Sequence, residues 1–176
     1  SRSIHYMLRT TGDGAVTHSL RALTWANLTA DGHGSGFSNL CSKTPTPAQC
    51  PKLATTNSGG FTQSPLDMAN DGTTLLSYLR GDPTHEGSTL GDYGLFRARK
   101  HKLGDIVGGS PVYVGPPVFG YGDTGYGEFK QSKASRKPML YVAANDGMLH
   151  AFNASTGKEL WAFVPQAVMP NLYKLA

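Results

Sequence analysis

The sequence is short of charge, of cysteine and of long apolar runs, and each shortage excludes something. Charged residues make up 16%, where a soluble domain ordinarily carries about 25%. With 22 Gly and 11 Pro in 176 residues, the chain favours an all-β, loop-rich, exported protein over a helical enzyme. No apolar run approaches the ~20 residues that cross a bilayer as a helix. Ser1-Arg2-Ser3 opens the chain with no apolar segment behind it, so an export signal is expected to have been removed or to lie outside the sequence. The length is enough for one ordinary domain with a real core.

The usual catalytic signatures are missing as well. There is no G-x-S-x-G elbow, no H-E-x-x-H, no P-loop, and no G-x-G-x-x-G followed by an acidic ribose reader. His5, His18, His33, His85, His101 and His150 are scattered, and no two have the helical spacing of metal ligands. His150 sits in an apolar strand pattern and is expected to be a satisfied structural residue. Asp67-Met68-Ala69-Asn70-Asp71-Gly72 resembles a calcium loop in composition only. Counted from Asp67, position 3 is Ala69 and position 12 is Tyr78, neither of which supplies the carboxylate that such a loop needs. A turn is expected there instead.

Cys41 and Cys50 are the only cysteines, with eight residues between them. That spacing fits neither a C-x-x-C redox pair nor a zinc pair. A small disulfide loop is the simplest account in an oxidising compartment, with two buried free thiols as the alternative.

What is present is concentrated between Pro138 and Phe163. Residues 139–144, 148–152 and 158–164 read as three strands, rich in apolar and β-forming residues. Asn145-Asp146-Gly147 and Asn153-Ala154-Ser155-Thr156-Gly157 read as the turns between them. Upstream, Asp105–Val107 and Pro111–Val114 read as a short strand pair or one kinked strand. Residues 115–137 read as a long Gly- and Tyr-rich insertion, the composition of a contact surface. Residues 73–79 read as a short helix capped by Asp71, with Leu75, Leu76 and Leu79 on one face, ended by Gly81 and Pro83. In residues 1–70, Ile4, Tyr6 and Leu8 alternate as a strand would. Leu20, Leu23 and Trp25 suit either a strand or a helical turn. Residues 29–65 have the composition of a long exposed loop.

The strand–turn–strand–turn–strand unit, with Asp146-Gly147 in one turn, Thr156-Gly157 in the next and Trp161 three residues after Lys158, resembles one blade of a quinoprotein-type β-propeller. With Leu103–Gly115 upstream and Phe163-Val164-Pro165 downstream, it resembles the propeller domain of the PilC/PilY family of type IV pilus proteins, over roughly residues 75–176. The resemblance implies a mainly β fold: a partial propeller of about one blade over residues 71–176, after a loop-rich junction over 1–70 with little regular structure. It implies a non-enzymatic, tip-associated protein that supports pilus assembly and adhesion, exported to the pilus tip, cell surface or outer membrane of a Gram-negative bacterium. Implied partners are minor pilins, a host or abiotic surface receptor, and the rest of the propeller or a chain that completes it. No cofactor is implied in this segment, and calcium would lie elsewhere in a longer protein. The blade residues carried over are Asn145, Asp146, Gly147, Thr156, Gly157 and Trp161. The runner-up is a fragment of a quinoprotein dehydrogenase propeller, which would need a complete channel and calcium that one blade cannot supply.

Two further stretches carry a functional expectation beside a plain one. Arg80-Gly81-Asp82 is a candidate receptor tripeptide, or a helix end with a glycine cap. The net charge of +4 comes from 16 basic and 12 acidic residues, with basic clusters at Arg97–Lys102 and Lys130–Lys137. Acidic polymers could bind there, but nucleic acid is not expected, because no aromatic stacking platform accompanies the charge.

Overall fold

The computed structural model describes residues 2–57, 62–87 and 94–176. Its centre is a six-stranded sheet that joins the two ends of the chain. Ile4–Gly12 (β1) and Ala15–Ala22 (β2) form a hairpin, and Val112–Val114 (β3), Met139–Ala143 (β4), Leu149–Asn153 (β5) and Glu159–Val164 (β6) form an antiparallel blade. The spatial order is β2-β1-β6-β5-β4-β3. The β1–β6 pair is parallel, with Ile4 beside Ala162 and Tyr6 beside Val164.

The three C-terminal strands lie where the alternation placed them, within a residue at each end. Three earlier expectations are corrected. Residues 105–107 form no strand, and only Val112–Val114 pairs with β4. Residues 1–70 are more regular than their composition suggested, because the hairpin alone orders residues 4–22. Its two-residue turn, Asp13-Gly14, has φ 49 and 76, the backbone of a type I′ turn that matches strand twist. Residues 29–57 are exposed along more than half of their length, but they are not a free loop either. Short 3-10 turns at Gly34–Gly36, Leu40–Ser42 and Cys50–Lys52 bury Phe37, Leu40, Cys50 and Leu53. Residues 58–61 of that stretch lie outside the described residues.

One face of the sheet is covered by a helical layer. It comprises Trp25–Ala30 (α1), Pro65–Asn70 (α2), Gly72–Leu79 (α3) and a closing 3-10 run, Gln166–Leu175. Side-chain oxygens satisfy free N–H groups at the helix starts. The Asn27 N–H donates to Thr24 Oγ1 at 3.3 Å, that of Asp67 to Ser64 Oγ at 3.1 Å and that of Thr73 to Asp71 Oδ1 at 3.0 Å. Asp71 therefore caps α3 as its spacing predicts. Gly72 lets that helix meet α1, since a Cβ there would lie 2.2 Å from the Trp25 ring.

The layer and the sheet share one core. Ile4, Tyr6, Ala162 and Val164 from the central strands pack with Leu23, Leu28, Leu75, Leu79, Met169 and Leu172. Residues on both sides of position 70 contribute to it. Along the other face of β1 and β6 point His5, Met7, Trp161 and Phe163, all half-buried. They line a mostly apolar groove of about 350 Å³.

Cys41 and Cys50 are joined, with Cα atoms 5.4 Å apart. The bond pins two of the 3-10 turns beside the buried Leu40 and Leu53. Replacing both cysteines by serine is expected to lower stability by about 3 kcal/mol, from the loop-closure entropy of a ~10-residue ring. Urea unfolding of the two forms measures this, and an unchanged midpoint would contradict it.

Candidate functional site

Asn145, Asp146 and Gly147 of the blade signature form the first turn. Gly147 has φ 80, and a Cβ on it would lie 2.8 Å from Leu172 Cδ2. Only glycine therefore fits between the turn and the closing 3-10 run. Asp146 organises what surrounds it. Its Oδ1 accepts from Met148 N at 3.1 Å and from His150 Nε2 at 3.0 Å, and its Oδ2 accepts from Gly104 N at 3.3 Å. Asn145 N donates to Asp105 O at 2.9 Å. Residues 103–105 are thus held against the turn without being a strand.

His150 has no exposed surface, and both ring nitrogens face carboxylates. Nδ1 lies 2.7 Å from Glu159 Oε1, and Nε2 bonds Asp146. Arg2 reaches the same glutamate through Nε at 2.7 Å and Nη2 at 2.6 Å. Burial alone would lower the His150 pKa, but the two carboxylates override it and push it up to about 9. Burial would raise Glu159, but Arg2 and His150 hold it down to about 2. The result is a buried imidazolium between two carboxylates, tied to the N-terminus through Arg2. With both nitrogens occupied, His150 is no free base or ligand. The histidine was legible as a structural residue, but its partner Arg2, 148 positions away, carried no local signal.

The second turn is closed by its own side chains. Ser155 N donates to Asn153 Oδ1 at 2.9 Å, Gly157 N to Asn153 O at 2.8 Å and Lys158 N to Thr156 Oγ1 at 3.4 Å. Trp161 stands on the uncovered sheet face with its ring 5.8 Å from Tyr141.

Arg80-Gly81-Asp82 sits at the end of α3, in the geometry of a helix end with a glycine cap. Arg80 Nη1 donates to Leu23 O at 2.6 Å and Nη2 to Arg2 O at 2.8 Å. Gly81 is buried, and its N–H donates to Tyr78 O. Asp82 accepts from the Thr84 amide at 2.9 Å and its hydroxyl at 2.5 Å. Arg80 is a brace that holds the hairpin to the helical layer. In the basic stretch, Arg99 pairs with Glu86 and lies 3.7 Å over the Tyr78 ring, while Arg97, Lys100 and Lys102 are exposed. Among the described residues, no three His, Cys, Asp or Glu side chains are grouped to hold a metal ion.

The insertion 115–137 is exposed and partly helical. Tyr126–Ser132 (α4) was hidden by the glycines around it. Phe119, Tyr121, Tyr126 and Phe129 form a row with ring centroids 5.5, 5.0 and 5.9 Å apart. Lys130 Nζ donates to Phe119 O at 3.1 Å and Arg136 Nη1 to Gly115 O at 3.4 Å, so the arm is fastened to itself. Val118 is 78% and Phe119 61% exposed.

Comparison with known proteins agrees with the blade geometry. Residues 103–171 match the PilY1 beta-propeller domain. Over that segment the chain is similar to the PilY1 family. A type IV pilus biogenesis factor PilY1 homolog of Xylella fastidiosa is 45% identical over 112 residues, 60% of this chain. The type IV pilus biogenesis factor PilY1 of Pseudomonas aeruginosa strain UCBPP-PA14 is 42% identical over 113 residues, 59% of this chain. The chain spans 9% of the length of each. No solved structure matches. Among the described residues, no helix is long and apolar enough to cross a membrane.

The charge network makes stability depend on pH. Unfolded, His150 releases its proton near 6.5, whereas the folded chain keeps it to about 9. Its contribution is complete below the lower value and is lost as pH rises through the upper one. Glu159 contributes above its ordinary 4.5 and stops contributing as pH falls towards about 2. Stability is therefore expected to fall on both sides, and His150→Leu should flatten the alkaline side. That substitution should cost about 3 kcal/mol, the low end for breaking a buried pair, because Glu159 stays partly exposed. Urea midpoints at pH 3 to 10 test this; an alkaline limb unchanged in the variant would contradict it.

Proposed function

We propose that this chain is a non-enzymatic part of a type IV pilus tip-associated protein that supports pilus assembly and surface adhesion. The observation that carries the proposal is a propeller blade with one face sealed and one face open. The open face presents Met7, Leu149, Trp161 and Phe163 on an apolar groove, within and beside the segment that matches the PilY1 propeller. A half-buried aromatic face of this kind suits the remainder of a propeller, or a second chain that completes it. The relatives' shared name, type IV pilus biogenesis factor, supports the pilus role. On this proposal the protein acts outside the cytoplasm, at the pilus tip or cell surface of a Gram-negative bacterium, with minor pilins as partners. The segment itself needs no cofactor, and any calcium is bound elsewhere in a longer polypeptide.

Adhesion is assigned to the aromatic arm at 115–137. Its rings are exposed and pre-arranged, so contact would cost little ordering. Residues 29–57 expose no large apolar side chain and so offer no comparable aromatic surface.

Two variants of the longer protein separate the roles. Phe163→Asp on the open face is expected to abolish surface pili while the pilin is still made, as read by electron microscopy and shear-fraction blots. Removing residues 118–130 is expected to leave piliation normal and to lower surface attachment at least severalfold. Normal pili with Phe163→Asp, or undiminished attachment without the arm, would each overturn the corresponding half of the proposal.

A further inference from the structure

We propose that the outer edge of β2 is an acceptor site for a peptide strand: an extended, uncharged segment with apolar residues at alternate positions. Among the described residues, no strand lies beyond β2 in the sheet order. The turn fixes which groups are free. Gly12 and Ala15 flank the two-residue Asp13-Gly14 turn and pair with each other. The pairs that exchange backbone bonds are therefore Gly12 with Ala15, Thr10 with Thr17 and Leu8 with Ser19. Val16, His18 and Leu20 then turn their N–H and C=O groups away from β1. They form three donor–acceptor sets, two residues apart, along an exposed edge.

Natural sheet edges are usually guarded by lysine, proline, a bulge or an inward-pointing charge. The strand Ala15–Ala22 has no proline, lysine or carboxylate, and its register with β1 is unbroken. Its one arginine, Arg21, is paired with Asp31 at 3.0 Å. The opposite edge of the sheet, β3, has only three residues.

The side chains set the chemistry of the occupant. Val16 and Leu20 share a face with Met7, and Leu20 and Met7 line the apolar groove beside Phe163. Val16 and Leu20 are 45% and 60% exposed. A strand laid against β2 would set every second side chain beside Val16, His18 and Leu20, extending the groove at the Leu20 end. Its other side chains would stand beside Thr17 and Ser19 and suit Ser or Thr. An unguarded edge running into an apolar groove is the arrangement for strand addition, in which backbone bonds supply affinity and alternate side chains supply selectivity.

The test is an NMR titration of the chain with acetyl-Thr-Val-Thr-Val-Thr-Val-Thr-amide. The expected result is saturable binding, cross-strand contacts from the peptide to Val16, His18 and Leu20, and at least tenfold slower exchange of those three amides. His18→Pro removes one outward donor without touching a hairpin bond, and should weaken binding at least tenfold with the unfolding midpoint unchanged. A peptide N-methylated at alternate positions should fail on the unaltered chain, and so should one with Lys in place of Val. Unchanged exchange at the three amides, or equal binding of the N-methylated peptide, would overturn the proposal. So would slowing that follows chain concentration without peptide, which would make a second copy of the chain the occupant.

Discussion

The parallel pairing of β1 with β6 is the contact on which the rest of the structure depends. It sets Ile4 beside Ala162 and Tyr6 beside Val164, and these four fully buried side chains form the floor on which the helical layer packs. Parallel pairs need a long connection, and here nearly the whole chain is that connection. Closing so long a loop costs entropy that local contacts cannot offset. The pair is accordingly reinforced at its start. Ala162 N donates to Ser3 O at 2.9 Å, Arg2 grips Glu159 through two bonds, and Arg80 holds the Arg2 carbonyl from the helical layer. Four backbone or side-chain bonds and one core patch thus act on the same few residues, and breaking one weakens the others.

That arrangement gives the blade two unlike faces. The layer face is closed by residues of the same chain, and the charges of the buried His150 and the partly exposed Glu159 and Asp146 lie at its margin. Pairing compensates those charges, so their value is less in net stability than in fixing one arrangement of the turn, the third blade strand and the N-terminus. The open face has no such fastening. It offers shape and apolar surface, and its extension through Leu20 to the hairpin edge is continuous. A chain built this way is suited to being joined to other protein. Its polar side chains are spent on holding its own segments together.

The blade was legible in the sequence because its signals are local. Alternation over five or six residues and turns containing Gly147 and Gly157 need no distant partner. The helix at Gly72–Leu79 was legible for the same reason, through Asp71 and the leucine spacing. The hairpin was not, although Asp13-Gly14 between two extended runs is a direct turn signal. The polar Arg9, Thr10 and Thr11 hid the strand, because the hairpin's outer half buries nothing. Residues 29–57 misled in the opposite sense. Their Gly, Ser and Pro content is that of a loop, yet a few apolar side chains, Phe37, Leu40 and Leu53, anchor it in the core. The Arg2–Glu159–His150 network and the bracing role of Arg80 depend on contacts across most of the chain, which no local pattern records.

If the hairpin and the blade form one unit, they must open together. Native-state hydrogen exchange of the intact chain measures this most directly, by comparing opening free energies along β1 with those along β5 and β6. The account predicts that the core-facing amides of β1 and the amides of Ala162 and Val164 exchange through one opening of the same free energy. It also predicts that Glu159→Gln lowers that energy equally for all of them. Amides of β1 that open at a free energy well below those of β5 and β6, with the blade left protected, would contradict it.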